Sequence, residues 1–178
     1  MPEAIAIKGS FATKLKELCS DTNIRPKLFE KYYDCYLYCA IYGLLNKRTA
    51  VFNPETDSNP KDTADIRSEV IIGQKGRSSY FTIRKITILS ENNRGYSFEE
   101  KIDNALRFDI PIEEDSDEYT RRNSKYNSNT ELIHGFALGG IELFYQKVSE
   151  HKTPEDLIYF MRETEKKFKD AVGYDNGL

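Results

Sequence analysis

The chain has no tryptophan, two histidines and three cysteines, and no apolar run in it approaches the ~20 residues that span a bilayer. With His134 and His151 the only histidines and Cys19, Cys35 and Cys39 the only cysteines, no zinc-ligand set of the usual spacing exists, and no cofactor or metal is expected. The cysteine count is odd. Cys35 and Cys39 lie four apart on one face of an expected helix, where neighbouring turns hold a pair poorly for a disulfide. All three read as reduced, small apolar residues of a cytosolic protein. The first residues, Met1-Pro2-Glu3-Ala4-Ile5-Ala6-Ile7-Lys8, lack the basic-then-apolar order of a secretory signal. A cytoplasmic protein with no membrane partner is the expectation. An excess of positive charge is missing too. The net charge is −3, so a generally basic nucleic-acid-binding surface is not indicated, although a local basic face stays open.

What is present is a chain of 178 residues, rich in Tyr (12) and Phe (10), with 31% charged side chains. That length suits one domain able to bury roughly 70% of its unfolded surface without a metal or disulfide staple. Apolar periodicity predicts helices. The first starts near Ser10 as N-cap and carries Phe11, Leu15 and Leu18 inward. A second runs from Pro26 to Leu45, apolar on nearly every side in its second half, and reads as the central helix. Residues 49–60 are a loop, and Asn59 caps a further helix from about Pro60 that turns Ile66, Val70 and Ile71 inward. Residues 80–89 are β-branched enough for a strand, but strict alternation fails, and a helix over them is preferred. Ser97-Phe98-Glu99-Glu100 is a capping box opening a helix through Leu106. Residues 113–128 read as a solvated polar linker. Ser128-Asn129-Thr130-Glu131 reads as a second capping box. Thr153-Pro154 opens the last helix, with Leu157, Ile158, Met161, Phe168 and Val172 inward and a frayed tail at 173–178. The expected fold is all-α: a single compact domain over 1–178, about six or seven helices around the central apolar one.

Three glycines interrupt the helix after Thr130: Gly135, Gly139 and Gly140. Glycine inside a helix costs about 1 kcal/mol relative to alanine, so they imply close approach. That is either a tight helix crossing, inside the chain or at a homodimer seam, or a notch for a ligand or peptide. A phosphate-binding glycine loop is a poor match, because such loops precede a helix rather than sit within one. His134 beside them has no evident partner for acid–base work. The pairs Glu99-Glu100, Glu113-Glu114 and Asp115-Asp117 belong to a cap or a solvated run, which gives neither the fixed separation nor the pKa contrast that hydrolases use. Asp62, Asp65 and Glu69 are helically spaced and could converge on a metal. Basic residues are scattered at Lys47, Arg48, Lys75, Arg77, Arg84, Lys85, Arg94, Arg121, Arg122 and Lys125. Of these, Lys47, Arg48, Arg84 and Lys85 are the first candidates for phosphate contact.

Two segments also resemble a known family. One runs from Phe29 to Arg48: an aliphatic and aromatic helix, Gly43, then the basic pair Lys47-Arg48. The other is Phe136-Ala137-Leu138-Gly139-Gly140-Ile141-Glu142. In that order they are similar to small helical proteins found with DNA phosphorothioation and related phage-defence systems. The resemblance covers about a quarter of the chain and its motifs are structural. It implies an accessory role in a bacterial defence or DNA-modification assembly and brings no catalytic residues. The sequence therefore leans away from an enzyme and toward a protein that binds a protein partner or DNA. A small carboxylate- or metal-dependent hydrolase is the alternative.

Overall fold

The computed structural model describes residues 4–21, 27–67, 74–92, 94–106, 117–151 and 153–171. The chain is mostly helical, with a small two-stranded sheet. Its elements in order are β1 (Ala4–Lys8), α1 (Ser10–Leu18), α2 (Tyr32–Leu45), β2 (Thr63–Arg67), α3 (Gln74–Ser90), α4 (Phe98–Leu106), α5 (Asp117–Glu150) and α6 (Pro154–Ala171). Residues 80–89 are helical, within α3. None of the helices is long and apolar enough, among the described residues, to cross a membrane.

The sheet was not expected. β1 and β2 pair antiparallel, with Ile5 opposite Ile66 and Ile7 opposite Ala64. Both strands alternate, so Ile5, Ile7, Ala64 and Ile66 are buried while their neighbours face out. The helix expected from Pro60 is thus replaced by a strand that begins at Thr63. Five residues with two apolar positions give little signal on their own, and the partner strand lies more than fifty residues away in the chain. Asn59 caps no helix; its side-chain amide donates to the Thr13 hydroxyl.

α1 begins at Ser10 itself, so its cap lies one residue earlier than expected. Gly9 is the N-cap, at φ 68°, and supplies no side-chain acceptor. Asp57 takes that role from across the loop: the Ser10 N–H donates to one carboxylate oxygen and the Ser10 hydroxyl to the other, each at 2.8 Å. A Cβ on Gly9 would run into the Phe52 ring and the Asp57 carboxylate, so the glycine serves both the left-handed turn and the approach of the loop. Asp62 finishes the clasp, accepting from Thr13 at 2.7 Å and pairing with Lys16.

α2 starts at Tyr32 rather than Pro26, and residues 27–31 are not helical. Eight of its fourteen residues are buried, among them Cys35, Tyr36, Leu37, Cys39 and Ala40, as befits a central helix. Its most extensive contact is with α5. Two capping signals are realised. The Glu100 N–H donates to the Ser97 hydroxyl at 3.2 Å and the Ser97 N–H to the Glu100 carboxylate at 2.8 Å. The Asp156 N–H donates to the Thr153 hydroxyl at 3.2 Å.

The expected linker at 113–128 is corrected from residue 117 onward, because Asp117–Glu150 is one helix of 34 residues. Ser128-Asn129-Thr130-Glu131 is therefore no cap; the Thr130 hydroxyl donates back to the Tyr126 carbonyl within the helix. The first half of α5 has no apolar stripe to announce it, and arginines from elsewhere hold it. The Arg84 guanidinium donates to Thr130 Oγ1 and to the Tyr126 carbonyl, each at 3.3 Å. Arg94 donates to the Ser128 hydroxyl at 2.9 Å and the Ser128 carbonyl at 3.1 Å. On α6, Leu157 is buried as expected, but Ile158 is 54% exposed. Val70, Ile71, Val172, the tail 173–178 and the acidic Glu113, Glu114 and Asp115 lie outside the described residues.

The Asp57 clasp has a pH signature. Burial pushes its carboxyl up, but hydrogen bonds from the Asn59 N–H and from Ser10 outweigh that and set it below the usual carboxylate range. A group depressed in the folded state stabilises above its unfolded pKa of about 3.9 and loses that contribution as acid protonates the folded form. Wild type should melt above Asp57→Ala at pH 7, and the gap in Tm should close as the pH falls below about 4. Thermal melts across pH 2–7 followed by circular dichroism, at roughly one-unit steps, check this; a gap that persists in acid assigns the effect to something other than the charge.

Candidate functional site

Two glycines of α5 meet α2 and the turn after it backbone to backbone. A Cβ on Gly140 would collide with the Cys39 carbonyl and one on Gly139 with the Arg48 carbonyl. From the other side, a Cβ on Gly43 would strike the Phe136 carbonyl and come within 3.0 Å of the Gly140 nitrogen. Gly43 belongs to the crossing as fully as the α5 pair, and its position inside an apolar helix was the available signal. Gly135 differs: a Cβ there would sit 3.6 Å from the Ala50 carbonyl, an ordinary contact.

Beyond Gly43 the chain reverses. The Arg48 N–H donates to the Gly43 carbonyl at 2.8 Å and the Lys47 N–H to the Leu44 carbonyl at 3.1 Å, with Lys47 in the left-handed region at φ 53°. This is a Schellman ending, with Lys47 where glycine is commonest. It lays residues 48–50 on α5, where the Ala50 N–H donates to the Gly135 carbonyl at 3.0 Å. The notch that three glycines could have offered to a ligand or a second copy is thus filled at Gly139 and Gly140 by the chain's own α2 and its following turn.

The four phosphate-contact candidates do not form one patch. Lys47 and Arg48 share the turn after α2; both are exposed, and Arg48 pairs with Glu142 at 3.0 Å. Lys85 is partly buried on α3. Arg84 is wholly buried with its guanidinium 3.8 Å from the Tyr126 ring centroid, so it leaves the surface set. A guanidinium that stacks on an aromatic face and reaches a carbonyl is a structural bracket. Tyr80 beside it is pushed up to about 12, by burial first, with the Arg84 charge pulling the other way. The side chains of Lys75, Arg77 and Arg122 lie outside the described residues.

His134 lies against Tyr36, ring centroids 6.1 Å apart, and burial pulls its pKa down, which favours the neutral imidazole. Asp62 is engaged with Lys16 and Thr13 and Asp65 points outward from β2, so the helical convergence imagined for Asp62, Asp65 and Glu69 is lost to the strand; Glu69 lies outside the described residues. Among the described residues no group of three or more His, Cys, Asp or Glu side chains is arranged to hold a metal ion.

Two grooves lie among the described residues. One, of about 900 Å³, runs between Lys14, the Asn46–Arg48 turn and the Glu142–Glu150 face of α5, and is open and mixed in charge. The other, about 490 Å³, is almost wholly apolar. Leu28, Tyr38, Leu157, Ile158, Met161 and Phe168 line it, together with the exposed Arg162 and Glu165. An aromatic cluster supports its floor: Tyr38 lies 5.3 Å from Phe168 and 5.0 Å from the fully buried Phe144, which in turn lies 5.8 Å from Phe160. Beside the groove Tyr159 is 67% exposed. The groove was missed in the sequence because Ile158 and Met161 follow the same helical spacing as core residues.

Comparison with known protein families, curated proteins and solved structures finds no match to this chain.

The glycine crossing makes opposite predictions for two neighbouring sites. Gly140→Ala must part the helices and should cost about 3 kcal/mol. Gly135→Ala has room and gains helix propensity, so it should be neutral or stabilise by up to about 1 kcal/mol. Urea unfolding of both variants measures the contrast; equal destabilisation would contradict the close approach at Gly140.

Proposed function

We propose that this chain is a non-enzymatic interaction protein that binds a protein partner through the apolar groove along α6, as an accessory of a prokaryotic DNA-modification or defence complex. The groove carries this reading. Its volume lies within the range of ligand clefts of roughly 300–1,000 Å³. Its lining is mostly aliphatic and aromatic, its floor is braced by packed rings, and two exposed charged side chains, Arg162 and Glu165, join it, a composition that suits a protein contact surface. The resemblance of the Phe29–Arg48 and Phe136–Glu142 segments supplies the biological setting. Direct DNA binding is the weaker branch, since Arg84 is internal and Arg48 is already paired with Glu142. The hydrolase alternative gains no support from the placement of the described carboxylates.

Affinity capture from the source cells with wild type and with Ile158→Asp tests the proposal. The expected outcome is a component of a DNA-modification or defence complex retained by wild type and lost with the variant, at an unchanged Tm. Identical captures from both proteins would refute the groove as the contact. Fluorescence anisotropy with a duplex of about 20 base pairs at rising salt tests the DNA branch. Binding that weakens steeply with salt would move the function to DNA; no binding removes that branch.

A further inference from the structure

All three cysteines are free thiols in the structure, Cys35 and Cys39 buried and Cys19 partly exposed. Cys19 closes α1, its N–H shared between the Leu15 and Lys16 carbonyls at 3.2 Å. Cys35 sits in the first turn of α2, its N–H on the Lys31 carbonyl at 3.2 Å. The approach to α2 runs back against the end of α1: the Leu28 N–H donates to the Leu18 carbonyl at 2.9 Å, and the Phe29 N–H to the same oxygen at 3.4 Å. This return brings Cys19, packed against the core at the end of α1, beside the buried Cys35 in the first turn of α2, and the Cys35 thiol is the largest influence on the Cys19 proton. Cys39 is one helical turn further along α2, and two sulfurs on consecutive turns of one helix bridge poorly.

We propose that Cys19 and Cys35 are a redox pair that closes to an intramolecular disulfide under an oxidising thiol poise, tying the end of α1 to the start of α2. The oxidant is a small disulfide such as oxidised glutathione. The partly exposed Cys19 is the entry thiol. Its thiolate attacks one glutathione sulfur, forming a mixed disulfide and releasing one glutathione. Cys35 then attacks the Cys19 sulfur, and the second glutathione leaves. Two protein thiols and one glutathione disulfide become one protein disulfide and two reduced glutathiones, which keep the two protons. The contact with Cys35, burial and the Asp34 charge hold the proton on Cys19, so the thiolate is scarce and the exchange is slow.

The full chain is equilibrated in glutathione buffers of graded oxidised-to-reduced ratio, quenched with acid, alkylated and mapped by mass spectrometry. The expected product is lighter by two hydrogens, links Cys19 to Cys35, leaves Cys39 alkylated, and melts roughly 5–10 °C above the reduced form. Cys39→Ser should form the same link. Cys35→Ser should stop at a glutathione adduct on Cys19. Three alkylated thiols at every ratio, a link through Cys39, or a link between two chains would overturn the proposal. The mapping of wild type decides the matter even if a serine variant fails to fold.

Discussion

The structure depends on the backbone contact of α5 with α2 and the turn after it, at Gly43, Gly139 and Gly140. Side chains are absent there on both sides, so α2 and α5 approach until carbonyls of one lie where a methyl group of the other would be. The consequences spread outward. α2 becomes the central helix, buried along most of its length. Its exit turn is set against α5 by the Ala50 to Gly135 hydrogen bond and the Arg48 to Glu142 pair. On the other side of the crossing, Phe144 collects the rings of Phe29, Tyr38, Tyr42 and Phe160 around itself. That aromatic cluster is what α6 rests on, and it leaves the apolar groove at the edge.

The remaining elements are attached by polar devices. The ribbon and α1 are clasped by Asp57 and Asp62 from the loop before β2, and α3 and the loop after it are joined to α5 through Arg84 and Arg94. Charged groups here do work that apolar stripes usually do. This fits a chain with 39% hydrophobic residues and 31% charged ones, whose apolar surface is concentrated on a few helices.

The helical character, the central place of α2, the capping at Ser97 and Thr153, and the tight approach at Gly139 and Gly140 were legible in the sequence, because each rests on a local rule. Periodicity reports burial within one helix, caps involve residues three apart, and a mid-helix glycine reports its own cost. What was hidden is non-local. β1 and β2 are each too short to be recognised without the other. The first half of α5 reads as a solvated linker because its stabilising partners are arginines on another helix and loop. Arg84 looked like surface charge because nothing in its neighbourhood along the chain shows that Tyr126 lies beneath it. The groove residues of α6 share the spacing of core residues, and only the packing separates buried Leu157 from exposed Ile158.

The long α5 helix joins two kinds of support in one rigid rod. Its glycine end is gripped mainly by backbone van der Waals contact, with the Ala50 to Gly135 hydrogen bond and the exposed Arg48 to Glu142 pair beside it, a hold that salt touches little. Its polar end is held by guanidinium groups on hydroxyls, carbonyls and a ring. Such contacts compete with solvent and with guanidinium in solution, so the two ends answer to different agents. In this molecule, opening should start where the arginines are and travel toward the glycines, which would make the crossing the last part of the native structure to come apart.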